Sequence, residues 1–166
     1  MIVNITPSLV KWKEISINKL FIIKSGERLI KNKQKKGKIP FIGSSSINNG
    51  ITNFVSNTNN TLSRNFLGLN YNGSIGECFY HSYYCVVADD VKRLFLKYKE
   101  GNKYIYLFLK TCILKQKEKY SYGYEFNEVR MKKQMIKVPI TEENKVDYFY
   151  MENYMKWIEK KVLLKK

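Results

Sequence analysis

The first hundred residues alternate between short apolar runs and polar turns, a pattern typical of β-strands. The runs that predict strands are Trp12–Ile17, Leu20–Ile23, Ile39–Gly43, Ile51–Val55, Phe66–Tyr71, Gly76–Tyr80, Tyr83–Val87 and Arg93–Tyr98. Asn49-Gly50 and Asn72-Gly73 favour tight turns between strands. Pro40 predicts that its segment lies at a sheet edge or a strand start, because proline donates no ladder hydrogen bond.

Helical spacing begins only after residue 100. Apolar side chains then recur at steps of three and four residues and predict a core-facing helix over about 103–117; they are Tyr104, Ile105, Phe108, Leu109, Cys112 and Ile113. Met135–Ile140 predicts a last strand, with Pro139 near its end.

The C-terminal segment has the most regular spacing in the chain. An a/d heptad seam is formed by Tyr148, Met151, Met155, Ile158 and Val162. A helix from Asp147 to Leu164 would be about 27 Å long. Such a seam can pack on its own domain, but its place after a finished β-rich unit favours a projecting helix that binds a partner helix. We predict an α+β fold, with a β-rich unit at 1–143 and a long heptad helix at 144–166.

The charge of the chain adds a class of partner. The 166 residues carry 30 Lys and Arg against 14 Asp and Glu, a net charge of +16. A chain this basic attracts polyanions, nucleic acid first and an acidic membrane surface second. Only four of the basic residues are arginines, and Lys, Asn, Ile and Tyr are all abundant, so an AT-rich coding sequence is an alternative source of part of the charge. Nucleic-acid contact is still favoured, because +16 exceeds what solubility needs.

Enzyme and metal signatures are missing from the sequence. The chain has no P-loop, dinucleotide-binding or nucleophile-elbow motif, and Asp89-Asp90 has no partner carboxylate at a spacing that suits a nuclease. Cys78, Cys85 and Cys112 form no Cys-x-x-Cys pair, which favours reduced thiols, and the single His81 excludes a histidine metal cluster. No apolar run is long enough to cross a bilayer, so we expect a soluble, cytoplasmic protein without metal or membrane contact.

Three segments suit DNA contact. Lysines neutralise phosphates, and Ser, Asn and Tyr bond to phosphates and base edges. The segments are the basic loop 31–38, the polar loop 44–49 and the aromatic loop 120–124. Each has an ordinary alternative. The basic loop can be a solvated run of charge, the polar loop a plain turn, and the aromatic loop a set of side chains that close a core. The candidate DNA-binding residues are Lys31, Lys33, Lys35, Lys36, Lys38, Ser44, Ser45, Ser46, Asn48, Asn49, Arg64, Tyr80, His81, Tyr83, Tyr84, Tyr120, Tyr122 and Tyr124. For His81 we expect a base contact or an exposed ring.

The order of these motifs resembles a known family. Trp12, Leu20-Phe21 and Ser25-Gly26 come first, followed by 37–42 and Asn49-Gly50-Ile51. Gly73-Ser74-Ile75-Gly76, 78–81, 120–123 and 131–140 then follow in the same order. This series resembles the target recognition domain of type I restriction-modification specificity subunits, and of related type II enzymes that fuse recognition to methylation.

The resemblance implies a division of labour. The specificity subunit would have no catalytic centre and no cofactor, and an N6-adenine methyltransferase partner would hold S-adenosylmethionine. Such a subunit binds double-stranded DNA, the methyltransferase and in some systems a restriction subunit. A full subunit has two recognition domains and this chain has one, so a homodimer or a second domain would pair through the C-terminal helix. The alternative is a non-catalytic interaction protein that mimics or blocks a specificity subunit.

Overall fold

The computed structural model describes residues 10–120 and 126–164. The strands in chain order are β1 Lys11–Ser16, β2 Phe21–Ser25, β3 Lys36–Ile42, β4 Ile51–Val55, β5 Phe66–Asn70, β6 Cys78–His81, β7 Val86–Val87, β8 Val91–Leu96 and β9 Met135–Ile140. The helices are α1 Ile17–Leu20, α2 Lys103–Leu114, α3 Glu128–Lys133 and α4 Tyr148–Leu163. The architecture is α+β, as the residue pattern predicts.

The strands form three sheets. A central antiparallel sheet has the order β2-β8-β5-β6, and an outer sheet has the order β4-β3-β7. A separate ribbon pairs β1 with β9 in antiparallel register, so that Lys11 lies opposite Ile140. The outer sheet contains the hairpin β3–β4, with β7 parallel to β3.

The two middle strands of the central sheet, β8 and β5, are covered on both faces, whereas the edge strand β2 is partly exposed. One face packs against the helices and the ribbon, in a core that includes Leu67, Leu94 and Leu109. The other face packs against the outer sheet through Phe66, Val91 and their neighbours. Because both faces are covered, even the charged side chains of β8 lie inside the protein.

Two cations of β8 are buried with their own partners. Lys92 is 7% exposed and its Nζ donates to Ser25 Oγ at 2.7 Å and to a Glu128 carboxylate oxygen at 3.1 Å. Arg93 is 6% exposed and donates to the backbone carbonyls of Thr61, at 3.0 Å, and Ser25, at 2.8 Å. These two side chains therefore connect β8 to the end of β2, to α3 and to the loop before β5, and they add nothing to the surface charge.

Several predicted elements agree closely with the structure. β4 and β9 have the predicted bounds, and α4 differs from the predicted helix by one residue at each end. α2 begins where predicted, after Asn102, whose side chain accepts hydrogen bonds from the N–H groups of Tyr104 and Ile105. It ends at Leu114, three residues before the predicted end.

Two short helices were not predicted. α1 is a single turn that buries Ile17 and Leu20, and its four residues are too few to show a helical period. α3 carries a recognisable signal: Asn127 caps it by accepting from the Arg130 N–H at 3.0 Å, and Glu128 opens its first turn.

Pro40 lies in the middle strand of the outer sheet and not in an edge strand. β7 pairs with β3 only at Phe41 and Ile42. At Pro40, β3 pairs on one side only, opposite Phe54 of β4. Pro40 is therefore tolerated in a middle strand, since β7 does not extend to this position and needs no hydrogen bond from the proline nitrogen.

The heptad seam of α4 divides into two halves. Met151 is fully buried in the main core, and Tyr148 and Met155 pack against that core, so these residues are not available to a partner helix, contrary to the seam prediction. α4 runs antiparallel to α2, with Glu159 accepting from the Tyr104 hydroxyl at 2.8 Å and pairing with Lys103. Ile158 is half-buried and Val162 is 56% exposed, so only the distal half of the seam faces solvent.

Candidate nucleic-acid interface

The basic segment lies at one end of the hairpin β3–β4. Asn57 holds its backbone: the Asn57 Oδ1 accepts from the Lys35 N–H at 2.7 Å, and the Asn57 amide donates to the Lys33 carbonyl at 3.2 Å. Residues 31–33 form a 3₁₀ turn, whereas Lys36 and Lys38 belong to β3 and not to a loop. The backbone of the segment is anchored while its lysine side chains extend outward.

The five lysines of this segment are exposed, and none of them forms an ion pair with the residues that the structure describes. The members of the set are Lys31, Lys33, Lys35, Lys36 and Lys38. Ion pairs occur elsewhere among residues 10–120 and 126–164, on Lys11, Lys92, Lys103, Lys117, Lys132 and Lys156. Within the described part of the chain the positive charge of the segment is therefore unpaired and open to a polyanion.

The polar loop lies at the other end of the same hairpin. β3 has seven residues, and at roughly 3.3 Å per residue the two ends are about 20 Å apart. Ser44 Oγ bonds to the Asn72 carbonyl and accepts from the Ser74 N–H at 3.1 Å. The Asn70 amide donates to the Ser45 carbonyl at 3.2 Å. Ser44 and Ser45 thus attach the loop to the β5–β6 turn and are used inside the protein.

The turn at the end of this loop has an unusual backbone. Asn48, Asn49 and Gly50 have φ angles of 52°, 54° and 75°, three successive residues in the left-handed region. Asparagine and glycine tolerate that region better than other residues. The Asn49 amide donates to the Tyr83 hydroxyl at 2.9 Å and to the Tyr80 carbonyl at 3.3 Å, which fixes the turn against the central sheet.

The structure brings the polar loop together with the predicted aromatic segment 80–84. The Tyr80 ring stacks on Tyr106, with ring centres 5.2 Å apart, and its hydroxyl donates to Asn65 at 2.9 Å. The Tyr83 hydroxyl contacts both Asn49 and His81. Tyr80 and Tyr83 therefore support the turn from behind, and their polar atoms are already occupied.

His81 is buried, so the prediction of a base contact or an exposed ring is wrong. Its ring lies 5.1 Å from that of Phe66, the residue opposite it in the β5–β6 ladder, and Nδ1 lies 3.1 Å from the Tyr83 hydroxyl. Nε2 is buried without a hydrogen-bond partner in the described structure. Burial, and secondarily the charge of Lys110, lowers the pKa of His81 to about 4. The ring is a neutral core residue.

Arg64 and Tyr84 form an exposed pair. The Arg64 guanidinium lies 5.0 Å from the centre of the Tyr84 ring, and the tyrosine is 57% exposed. The two side chains hold each other in place by a cation–π contact. They provide a planar ring and a planar cation, both suited to bases or phosphates.

The third predicted segment is described only in part. The Tyr120 ring stacks on Phe126 with centres 3.9 Å apart, and its hydroxyl contacts Gln134. Tyr120 therefore helps to close the core, the ordinary alternative for this segment. Tyr122 and Tyr124 lie outside the described residues.

Thiol and metal chemistry gain no support from the described part of the chain. Burial raises the pKa of Cys78 and Cys85 to about 12 and that of Cys112 to about 11. No cluster of three or more His, Cys, Asp or Glu side chains in the described ranges could hold a metal ion. Among the helices described, none has the length and apolar character that a membrane span needs.

One residue of the interface was missed by sequence reasoning. Ile47 lies in the turn between Ser46 and Asn48 and is 66% exposed. The signal in the sequence was an apolar residue inside a polar loop, which indicates a side chain that contacts something outside the loop.

Comparison with known proteins decides the family. Residues 9–165 match the Type I restriction modification DNA specificity domain. The chain belongs to this family. Membership confirms the resemblance that the motif order shows to the recognition domain of restriction-modification specificity subunits.

The relatives share the fold and, in one case, much of the sequence. The Type II restriction enzyme BgcI specificity subunit S.BcgI of Heyndrickxia coagulans is 51% identical over 152 residues. That match covers 92% of this chain and 45% of the relative, so this specificity domain spans less than half the length of S.BcgI. The fold is also similar to the type I S subunit of M. genitalium (TM-score 0.67, 19% identity, 92% of this chain, 39% of that one). The HsdS subunit of Thermoanaerobacter tengcongensis gives a TM-score of 0.65 at 12% identity, over 92% of this chain and 38% of that one.

Proposed function

We propose that this specificity domain binds one part of a double-stranded DNA target and directs a partner N6-adenine methyltransferase to it. The observation that supports the proposal most is the uncompensated lysine segment 31–38 at one end of hairpin β3–β4, with the exposed turn 46–48 at the other. The separation of about 20 Å corresponds to about six base pairs at 3.4 Å each. Lysines would hold phosphates while the turn contacts bases.

Partner subunits complete the proposed activity. The methyltransferase would bind S-adenosylmethionine and carry out the transfer, and a restriction subunit would join in systems that cleave. This chain contributes affinity and register on the duplex.

Binding to target and scrambled duplexes, with the methyltransferase present, tests the recognition function. The target comes from mapping methylated adenines in cells with and without the chain. We expect retention of the target duplex at concentrations where a scrambled duplex stays free. Equal binding of both duplexes would refute sequence-specific recognition and would favour a protein that blocks or mimics a specificity subunit.

A salt titration tests the role of the lysine segment. For duplex DNA the slope of log K against log salt falls by about 0.9 for each phosphate that the protein no longer neutralises. Replacing Lys31, Lys33 and Lys35 by Gln should therefore reduce the slope by about 3. The matched control replaces Lys11, Lys13 and Lys137 on the β1–β9 ribbon, which should leave the slope unchanged. Equal effects of the two triple variants would contradict a localised phosphate contact.

The distal half of α4 is the second part of the proposal. Val162 and Leu163 are 56% and 64% exposed, and the helix ends at Leu163. We infer that residues 158–164 pair with the equivalent helix of a second copy or of a second recognition domain. Light scattering at micromolar concentration and low salt tests this: the chain should form a dimer that Val162→Lys dissociates. A monomer under these conditions would contradict self-pairing.

A further inference from the structure

The turn 46–48 presents an apolar side chain that the fold itself does not use. Ile47 is 66% exposed and lies in the hairpin turn between β3 and β4. Its backbone is fully engaged: the N–H donates to Ser45 Oγ at 3.2 Å, and the carbonyl accepts from the Gly50 N–H at 2.9 Å. The backbone of Ile47 is therefore fixed and only its side chain is available to a ligand.

The neighbours of Ile47 are equally available. Ser46 and Asn48 are exposed, and neither side chain forms a hydrogen bond within the described structure. Asn49 differs, because its amide is bound to Tyr80 and Tyr83. The two adjacent asparagines thus have separate tasks: Asn49 holds the turn, while Asn48 has a free amide.

The free groups match the major-groove edge of one base pair. An asparagine amide pairs with N6 and N7 of adenine, and an apolar side chain contacts the 5-methyl group of thymine. The major groove is about 12 Å wide and admits an element as broad as two strands, so the turn that joins β3 to β4 is small enough to enter it. Three left-handed residues in succession hold the turn in one shape, which lowers the ordering cost of binding.

Resting on the proposed DNA-recognition function, we propose that the turn 46–48 reads an A·T pair in the major groove. Ile47 contacts the thymine methyl group and Asn48 bonds to the adenine. The specificity of this domain then includes at least one A·T pair whose recognition depends on a methyl group.

Base analogues in the mapped target test the proposal with the full chain and its methyltransferase. Each thymine is replaced in turn by deoxyuridine, which lacks only the methyl group, and each adenine by 7-deazaadenine, which lacks N7. One deoxyuridine should weaken wild-type binding about fourfold, the effect of removing one buried methyl group from the interface. Ile47→Ala should bind the thymine duplex more weakly by a similar factor and be insensitive to the deoxyuridine.

Further variants keep the fold intact. Asn48→Gly retains a residue suited to positive φ and should lose sensitivity to one 7-deazaadenine. Val129→Ala removes an equally exposed apolar side chain from α3, 62% exposed, and should keep wild-type sensitivity to both analogues. If every thymine tolerates deoxyuridine, or if Ile47→Ala retains the sensitivity, the inference is wrong while target binding stands. If wild-type protein does not distinguish target from scrambled DNA, the proposed function itself fails.

Discussion

Acidification from pH 7.5 to pH 5 should destabilise this domain through His81. The imidazole is buried between β5 and β6 in its neutral form, with a pKa of about 4, whereas an unfolded chain gives histidine a pKa of about 6.5. The unfolded state therefore binds more protons between these two values. Stability is full above pH 6.5 and falls as the pH drops towards 4. At pH 5 linkage predicts a loss of about 2 kcal/mol relative to pH 7.5.

Urea unfolding at several pH values measures this loss, with His81→Phe as the non-titrating comparison. Phenylalanine keeps a planar ring against Phe66 but cannot take a proton, so the variant should lose about 2 kcal/mol less than wild type over the same range. Carboxylates such as Glu128, whose pKa is lowered by its bonds to Lys132 and Lys92, are shared by both proteins. His81 is the only histidine in the chain, so one imidazole NMR signal reports it. A folded-state titration of that signal near pH 6.5 would refute the reasoning.

The remaining predictions concern packing, thiols and the turn. Met151→Ala should lower the free energy of unfolding by about 3 kcal/mol and Val162→Ala by less than about 0.5 kcal/mol, because only Met151 is buried. Equal losses in urea titrations would contradict the division of the seam into a buried and an exposed half. Cys78 should not react with iodoacetamide at pH 8 until the protein unfolds, since burial raises its pKa to about 12; mass spectrometry showing rapid labelling of the folded protein would oppose this. Asn49→Gly suits the positive φ but removes the amide that donates to Tyr83, so the free energy of unfolding should fall by about 1 kcal/mol in thermal unfolding. An unchanged melting temperature would argue against the role of Asn49 in holding the turn.

Local patterns predicted the elements whose signals are local. α4 carries its capping residue Asp147 and its heptad spacing within one segment, and β4 follows directly on the Asn49-Gly50 turn. The family, too, was recognisable from the order of loose motifs along the chain. The bounds of α4 and β4 depend on neighbouring residues, and the family is visible in the order of motifs without any contact between them.

Burial by distant strands could not be predicted in the same way. His81 stands beside Tyr80 and Ser82 in a polar-looking segment, and only its pairing with Phe66 encloses it. Arg93 is similar, because its partner carbonyls lie 32 and 68 residues away. The division of the α4 seam also depends on where α2 begins, since Lys103 and Tyr104 at its first turn contact Glu159. Neither the charge of a side chain nor its place in a heptad shows whether distant parts of the chain will bury it.

The β1–β9 ribbon has a consequence for how such a unit can be exchanged between proteins. Lys11 and Ile140 are direct partners in the ladder, so the strand that enters the unit and the strand that leaves it run side by side. The chain between them, including the lysine segment and the turn, therefore leaves and returns at the same place in the fold. Replacing residues 17–134 as a cassette would keep both strands of the ribbon, but it would also replace α2, on which α4 packs. A new DNA preference could therefore be acquired by such an exchange if the incoming α2 and core still fit the buried face of α4.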